Sequence, residues 1–147
     1  MKGHESLPVF IGYDSRESFA SYVCAHSIKR RSSIPVSIRY LNHREQRARG
    51  NFRRPWRVDS ESGEMVDLID NKTFSTEFSH TRFLTPYLMG YKGWALTLDA
   101  DMICLGDIAR LLAFRDERYA AVCVKHVYPL PAVLGGVAVI PPAVVPR

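Results

Sequence analysis

The sequence predicts an α/β domain with a mainly parallel, Rossmann-like sheet flanked by helices, and three observations carry that prediction. Leu7-Pro8-Val9-Phe10-Ile11-Gly12-Tyr13-Asp14 is a compact apolar run closed by a glycine and a polar residue, as a strand covered on both faces reads. A segment of near-helical spacing comes next, then the alternating run Val36-Ser37-Ile38-Arg39-Tyr40-Leu41. The connection of about twenty residues between them suits a right-handed βαβ crossover. Finally, Trp94 to Leu98 is an apolar strand that delivers Asp99-Ala100-Asp101 at its carboxyl end.

The chain of 147 residues is long enough for one domain with a real core, and 46% hydrophobic with 24% charged residues is ordinary for a globular protein. A net charge of +5 is concentrated rather than spread, because ten basic residues and one acid, Glu45, lie between Lys29 and Arg57. Cys24, Cys104 and Cys123 are widely spaced in apolar segments, which predicts buried reduced thiols in a cytoplasmic protein. No apolar run is long enough to predict a membrane span or a secretory signal.

In order along the chain, Ser15 is placed to cap the first helix, with Glu17 in its first turn and Lys29-Arg30-Arg31 at its negative end. From Asn42 to Asn71 the periodicity fades. That stretch starts basic and turns acidic, and reads as a helix followed by a hairpin on the surface, either functional or simply solvated. Phe52 and Trp56 interleave with arginines as a base-stacking platform would, but no helix-turn-helix, zinc finger or RNP-like run accompanies them, so nucleic acid is not the expected partner. Ser75 to Gly90 predicts a helix capped by Ser75 or Thr76, stopped at Gly90 and broken at Pro86, which cannot donate to the Arg82 carbonyl. Arg82 is either a surface arginine or the ion-pair partner of the acidic strand end.

Side chains alternate along a strand, so Asp99 and Asp101 are expected on one side with Ala100 opposite, where two hard oxygen ligands could share Mg2+ or Mn2+. An Asp-x-Asp tripeptide alone is a weak signal; its position after an apolar strand strengthens it, because unpaired carboxylates are costly to bury there. Gly106 turns the chain into a short helix with Asp107 as its cap, and Tyr119 to Val124 predicts a further buried strand. His126 at the end of that strand is a scaffold histidine or a metal ligand. Beyond it, Val127 to Arg147 holds five of the nine prolines and one charged residue, and reads as an aberrant or disordered end, truncated or frame-shifted. The expected organisation is therefore one domain over 1–126 and a tail over 127–147, the first being nucleotide-sugar-binding by the resemblance that follows.

Val9 to Asp14, Ser75-Thr76-Glu77-Phe78, Arg82-Phe83-Leu84, Pro86-Tyr87-Leu88, Gly93-Trp94-Ala95, Leu98 to Met102 and Val124-Lys125-His126 together resemble bacterial glycosyltransferases of the GT-A fold. The resemblance is to the family-eight type of glycogenin and the lipopolysaccharide galactosyltransferases, and spans about residues 7 to 126. It implies a GT-A nucleotide-diphospho-sugar transferase fold that lacks its C-terminal half. By the same resemblance Gly12, Tyr13 and Asp14 lie near a uracil-like ring, Ala100 near the ribose, Asp99 and Asp101 on Mn2+ or Mg2+, and Arg82 beside the acidic site. The implied activity is hexosyl transfer from a UDP-sugar to a glycan, lipid or protein acceptor that the sequence does not identify. The rival expectation is a fragment without catalysis that only binds nucleotide or packs on another chain. The apolar end makes a homo-oligomer a further expectation.

Overall fold

A computed structural model describes residues 6–123 and 138–140. The first strand, β1 (Leu7–Gly12), pairs in parallel with β2 (Val36–Leu41) on one side and β6 (Ala95–Leu98) on the other. Val9, Phe10 and Ile11 are fully buried, because β1 is central and both faces of it are covered. Each such side chain contributes roughly 1.5–3 kcal/mol relative to exposure.

Residues of alternate parity serve different faces. Leu7, Val9 and Ile11 pack with Leu96 and Leu98 against Cys24, Ala25 and Ile28 of helix α1 (Ser18–Arg31). Phe10 points the other way, into a cluster with Leu41, Ala95, Leu88 and Met89. The two βαβ strands and the acidic strand thus stand where their apolar runs predict.

Three differences arise from longer-range contacts. The sheet is mixed rather than mainly parallel, because β8 (Ala138–Ile140) adds antiparallel to β6 and β7 (Val122–Cys123) pairs with β8, giving the order β2-β1-β6-β8-β7. Within 127–147 only this strand is described; the rest of that segment and His126 lie outside the described residues. The expected buried strand from Tyr119 begins only at Val122 among the described residues, with Cys123 exposed and Cys104 partly so, leaving Cys24 as the one fully buried thiol.

The segment from Asn42 is more than a surface excursion. Helix α2 (His43–Ala48) is followed by a separate antiparallel sheet of β3 (Trp56–Val58), β4 (Met65–Asp67) and β5 (Thr73–Phe74). Met65 is buried in it, and buried Asp67 accepts from Arg54 and from the Ile69 amide. The acidic half of this stretch therefore partners the basic half, as Arg54 with Asp67 and Arg57 with Asp59 show.

Candidate functional site

Because β2 lies on one side of β1 and β6 on the other, the chain reverses its winding direction between β1 and β6. In open α/β sheets the crevice at the carboxyl ends of the strands at such a point is where ligands bind. Ile11 stands opposite Leu98, so the residues leaving β1, Gly12 to Asp14, are neighbours of those leaving β6, Asp99 to Asp101. The structure brings these two groups of expected site residues together.

Each is held differently. Gly12 is buried with the Phe78 ring where a side chain would stand: a Cβ there would lie 2.5 Å from the ring. Tyr13 is half-buried and meets Tyr22 and Tyr40 edge-on, with centroids 6.4 and 6.1 Å away. Asp14, not Ser15, caps the following 3-10 turn (Ser15–Glu17). Its carboxylate accepts from Arg16 through backbone and guanidinium and from the Glu77 amide. Burial alone would raise its pKa, but these hydrogen bonds outweigh burial and hold the carboxyl below its ordinary range. Asp14 is thus turned inward, onto Arg16 and the Glu77 amide.

Arg82 reaches the site because the segment that carries it is tied to the sheet. Instead of one long helix there is a 3-10 turn (Thr81–Leu84) and then α3 (Thr85–Leu88), with Pro86 in its first turn. Buried Thr81 donates its hydroxyl to the Leu41 carbonyl, and Thr97 of β6 bonds to Thr85, so both flanks of Arg82 are fixed. Its guanidinium lies 5.1 Å from the centre of the Phe78 ring and 3.3 Å from Asp99 Oδ1, while its Nε is buried without a partner.

The strand ends at Leu98, so alternation does not extend to the residues beyond it: Ala100 and Asp101 lie in a turn, Ala100 buried and Asp101 exposed. Asp99 is largely covered. Burial raises its pKa first, Arg82 opposes, and the Asp101 charge raises it further. Asp101 is also felt by Cys24, whose thiol is pushed up to about 11 by burial, then by Cys104 and Asp101. The next loop is pinned to α1, since the Cys104 amide donates to Ser27 Oγ and Asp107, the cap of a 3-10 turn (Ile108–Phe114), accepts from the Ser33 amide. Among the described residues no group of three or more His, Cys, Asp or Glu is placed to hold a metal.

Two further residues shape the site region, Glu77 of the Ser75-Thr76-Glu77-Phe78 run and His43, which has no signature in the sequence. Glu77 accepts from the Ser15 amide at 2.7 Å and its hydroxyl at 2.9 Å, clasping the β1 turn across 62 positions. His43, buried at the start of α2, has both ring nitrogens without a hydrogen bond and Nε2 3.5 Å from Glu77 Oε1. Burial lowers the His43 pKa, against the pull of Glu77. The unfolded chain takes up this proton near its ordinary 6.5 and the folded chain only at lower pH, so stability is expected to fall as pH drops below about 6.5. Urea denaturation between about pH 8 and about pH 5 checks this; His43→Gln should flatten the slope.

No family model and no solved structure matches the chain. A curated protein named Protein CDI, from Arabidopsis thaliana, is 44% identical over 120 residues. The match covers 82% of this chain and 41% of that protein, so the chain spans about two fifths of its relative's length. A plant relative at this identity, with no family model matched, overturns the expectation of a bacterial glycosyltransferase of the family-eight type. Among the described residues no helix is long and apolar enough to cross a membrane.

Proposed function

We propose that the crevice between β1 and β6 binds a nucleotide-diphosphate sugar, with Mg2+ or Mn2+ held by Asp99 and Asp101, and that the chain serves sugar transfer from this donor. The observation that carries the reading is the emergence of both carboxylates at the carboxyl end of β6, at the reversal of winding and beside the β1 turn. The finer architecture of this reading is the GT-A type, with which the parallel β2-β1-β6 core is compatible.

The donor set fits the cation. Two carboxylate oxygens suit a hard divalent ion, which accepts few protein ligands and completes its shell with phosphate and water. Asp99 also sits where its own charge is opposed by burial and by Asp101, a state that a cation relieves. When bound, such an ion acts as a Lewis acid that offsets the charge developing on the departing diphosphate. In this reading the chain's own part is orientation. Arg82, fixed by Thr81 and Thr85 and resting on Phe78, holds Asp99 and adds a positive charge, while Tyr13 offers an aromatic edge at the end of β1. The acceptor class is a hydroxyl-bearing glycan, lipid or protein. The free thiols of Cys24, Cys104 and Cys123 support a cytoplasmic setting.

A second reading is nucleotide binding without turnover, which would use the same crevice and the same two carboxylates. Calorimetric titration of UDP-glucose with and without Mn2+ tests the shared part. Binding that requires Mn2+ and is lost in Asp101→Ala is the expected result; metal-independent binding that survives both Asp99→Ala and Asp101→Ala would overturn it. Release of UDP over time then separates transfer from binding alone.

A further inference from the structure

We propose that a second cleft, on the sheet face opposite α1, is a binding site for a phosphorylated sugar. It encloses about 310 Å3, at the lower end of the roughly 300–1,000 Å3 usual for small-molecule sites. Its position follows from the strand register. Arg39 of β2 stands beside Phe10 of β1, and its guanidinium lies 5.6 Å from the centre of that ring. Glu45 and Gln46 of α2, Arg49 just beyond that helix, and Leu88 of α3 close the remaining sides.

The chemistry of these groups selects the ligand. Arg49 pairs with Glu45, Arg54 with Asp67 and Arg57 with Asp59, whereas Arg39 has no carboxylate partner among the described residues. Its planar fork, next to an aromatic ring and free of any carboxylate among the described residues, is suited to a phosphate. The Arg49–Glu45 pair is exposed and joins residues four apart across the end of α2, a geometry of small net stability, so Arg49 can turn to a second phosphate oxygen at low cost. Glu45 is then released to accept from a hydroxyl.

Gln46 supplies the fixed polar group. It is 4% exposed, and its carboxamide oxygen accepts from Asn51 Nδ2 at 2.9 Å, which leaves its NH2 as the group it offers to the cleft. Two cations, a buried amide donor and a releasable carboxylate match a phosphate carried on a hydroxylated ring. A bare anion would use only the arginines. The cleft contains no acidic pair and so needs no metal, which separates it from the Asp99 and Asp101 crevice.

The test titrates glucose 6-phosphate by calorimetry into the full chain in EDTA, where the metal-dependent reading is silent. The expected result is saturable binding that weakens about tenfold or more in Arg39→Gln and in Arg49→Gln, the effect of losing one charge-assisted hydrogen bond, and persists in Asp99→Asn. Glucose without phosphate should not bind, and inorganic phosphate should bind more weakly than the sugar phosphate. Both arginines are exposed, and a thermal melt of each variant confirms the fold. No binding at millimolar ligand, binding indifferent to both arginine substitutions, loss of binding in Asp99→Asn, or inorganic phosphate binding as tightly as the sugar phosphate would each overturn the proposal.

Discussion

Asp99→Asn is expected to abolish Mn2+-dependent binding of UDP-glucose, by more than about a hundredfold, while the metal-free protein melts at the same or a higher temperature. The first half follows from removing a charged ligand oxygen, since even outer partners of metal ligands are worth about 10–100-fold. The second follows from the direction of the pKa shift. Burial, reinforced by Asp101, raises the Asp99 carboxyl above its ordinary 3.8 despite Arg82. A carboxyl shifted up contributes stability that is present below its unfolded value and is lost as pH rises through its folded value. At neutral pH the ionised side chain is thus a burden on the metal-free fold, and the isosteric amide removes it. The Arg82 contact is preserved in shape, and Arg82 keeps the Phe78 ring beneath it. Stability surrendered at a binding site in this way is a sign of function rather than scaffold. A drop in melting temperature of many degrees in Asp99→Asn would show the opposite, that the Asp99–Arg82 pair exists to hold the fold. Calorimetric binding and thermal melts on the same samples decide between the two.

The parts of this arrangement that the sequence announces are those governed by neighbours along the chain. β1 and β6 are legible because a strand buried on both faces must be almost wholly apolar, and Asp107 because a cap acts on amides two residues away. The parts it hides are decided by partners far off in sequence. Ser15 has the chemistry of a cap, yet its hydroxyl is taken by Glu77, and Asp14 caps in its place. The stretch from Thr81 to Leu88 is interrupted next to Pro86, as the proline announces, but nothing along the chain shows that Thr81 and Thr85 tie it to the sheet. Asp101 lies two residues beyond Asp99, yet strand alternation does not apply because the chain has already turned. Arg82 and Asp99, seventeen positions apart, lie within 3.3 Å of each other as an ion pair at the strand end requires, while the bacterial family assignment did not survive comparison.

Gly12→Ala is the substitution expected to damage fold and site together. The added methyl would stand 2.5 Å from the Phe78 ring, well inside contact distance, and the ring is 5% exposed with little room to retreat. Overpacking of this kind costs about 1–3 kcal/mol, a shift of several degrees for a domain of this size. The displacement does not stop at the ring. Phe78 carries the Arg82 guanidinium, and Arg82 orients Asp99, so moving the ring slackens the ion pair at the crevice. The variant should therefore bind UDP-glucose and Mn2+ less tightly even at temperatures where it is fully folded. Phe78→Leu, which shrinks the obstacle, distinguishes steric conflict from a need for glycine's backbone freedom. The Gly12→Ala/Phe78→Leu pair should be more stable than the sum of its single changes predicts, a coupling readable in a double-mutant cycle. Strict additivity would show that the two residues do not meet and that some other neighbour requires the glycine. Recovery of stability without recovery of binding is the expected pattern, because leucine relieves the clash but offers no aromatic face to the guanidinium that Asp99 depends on.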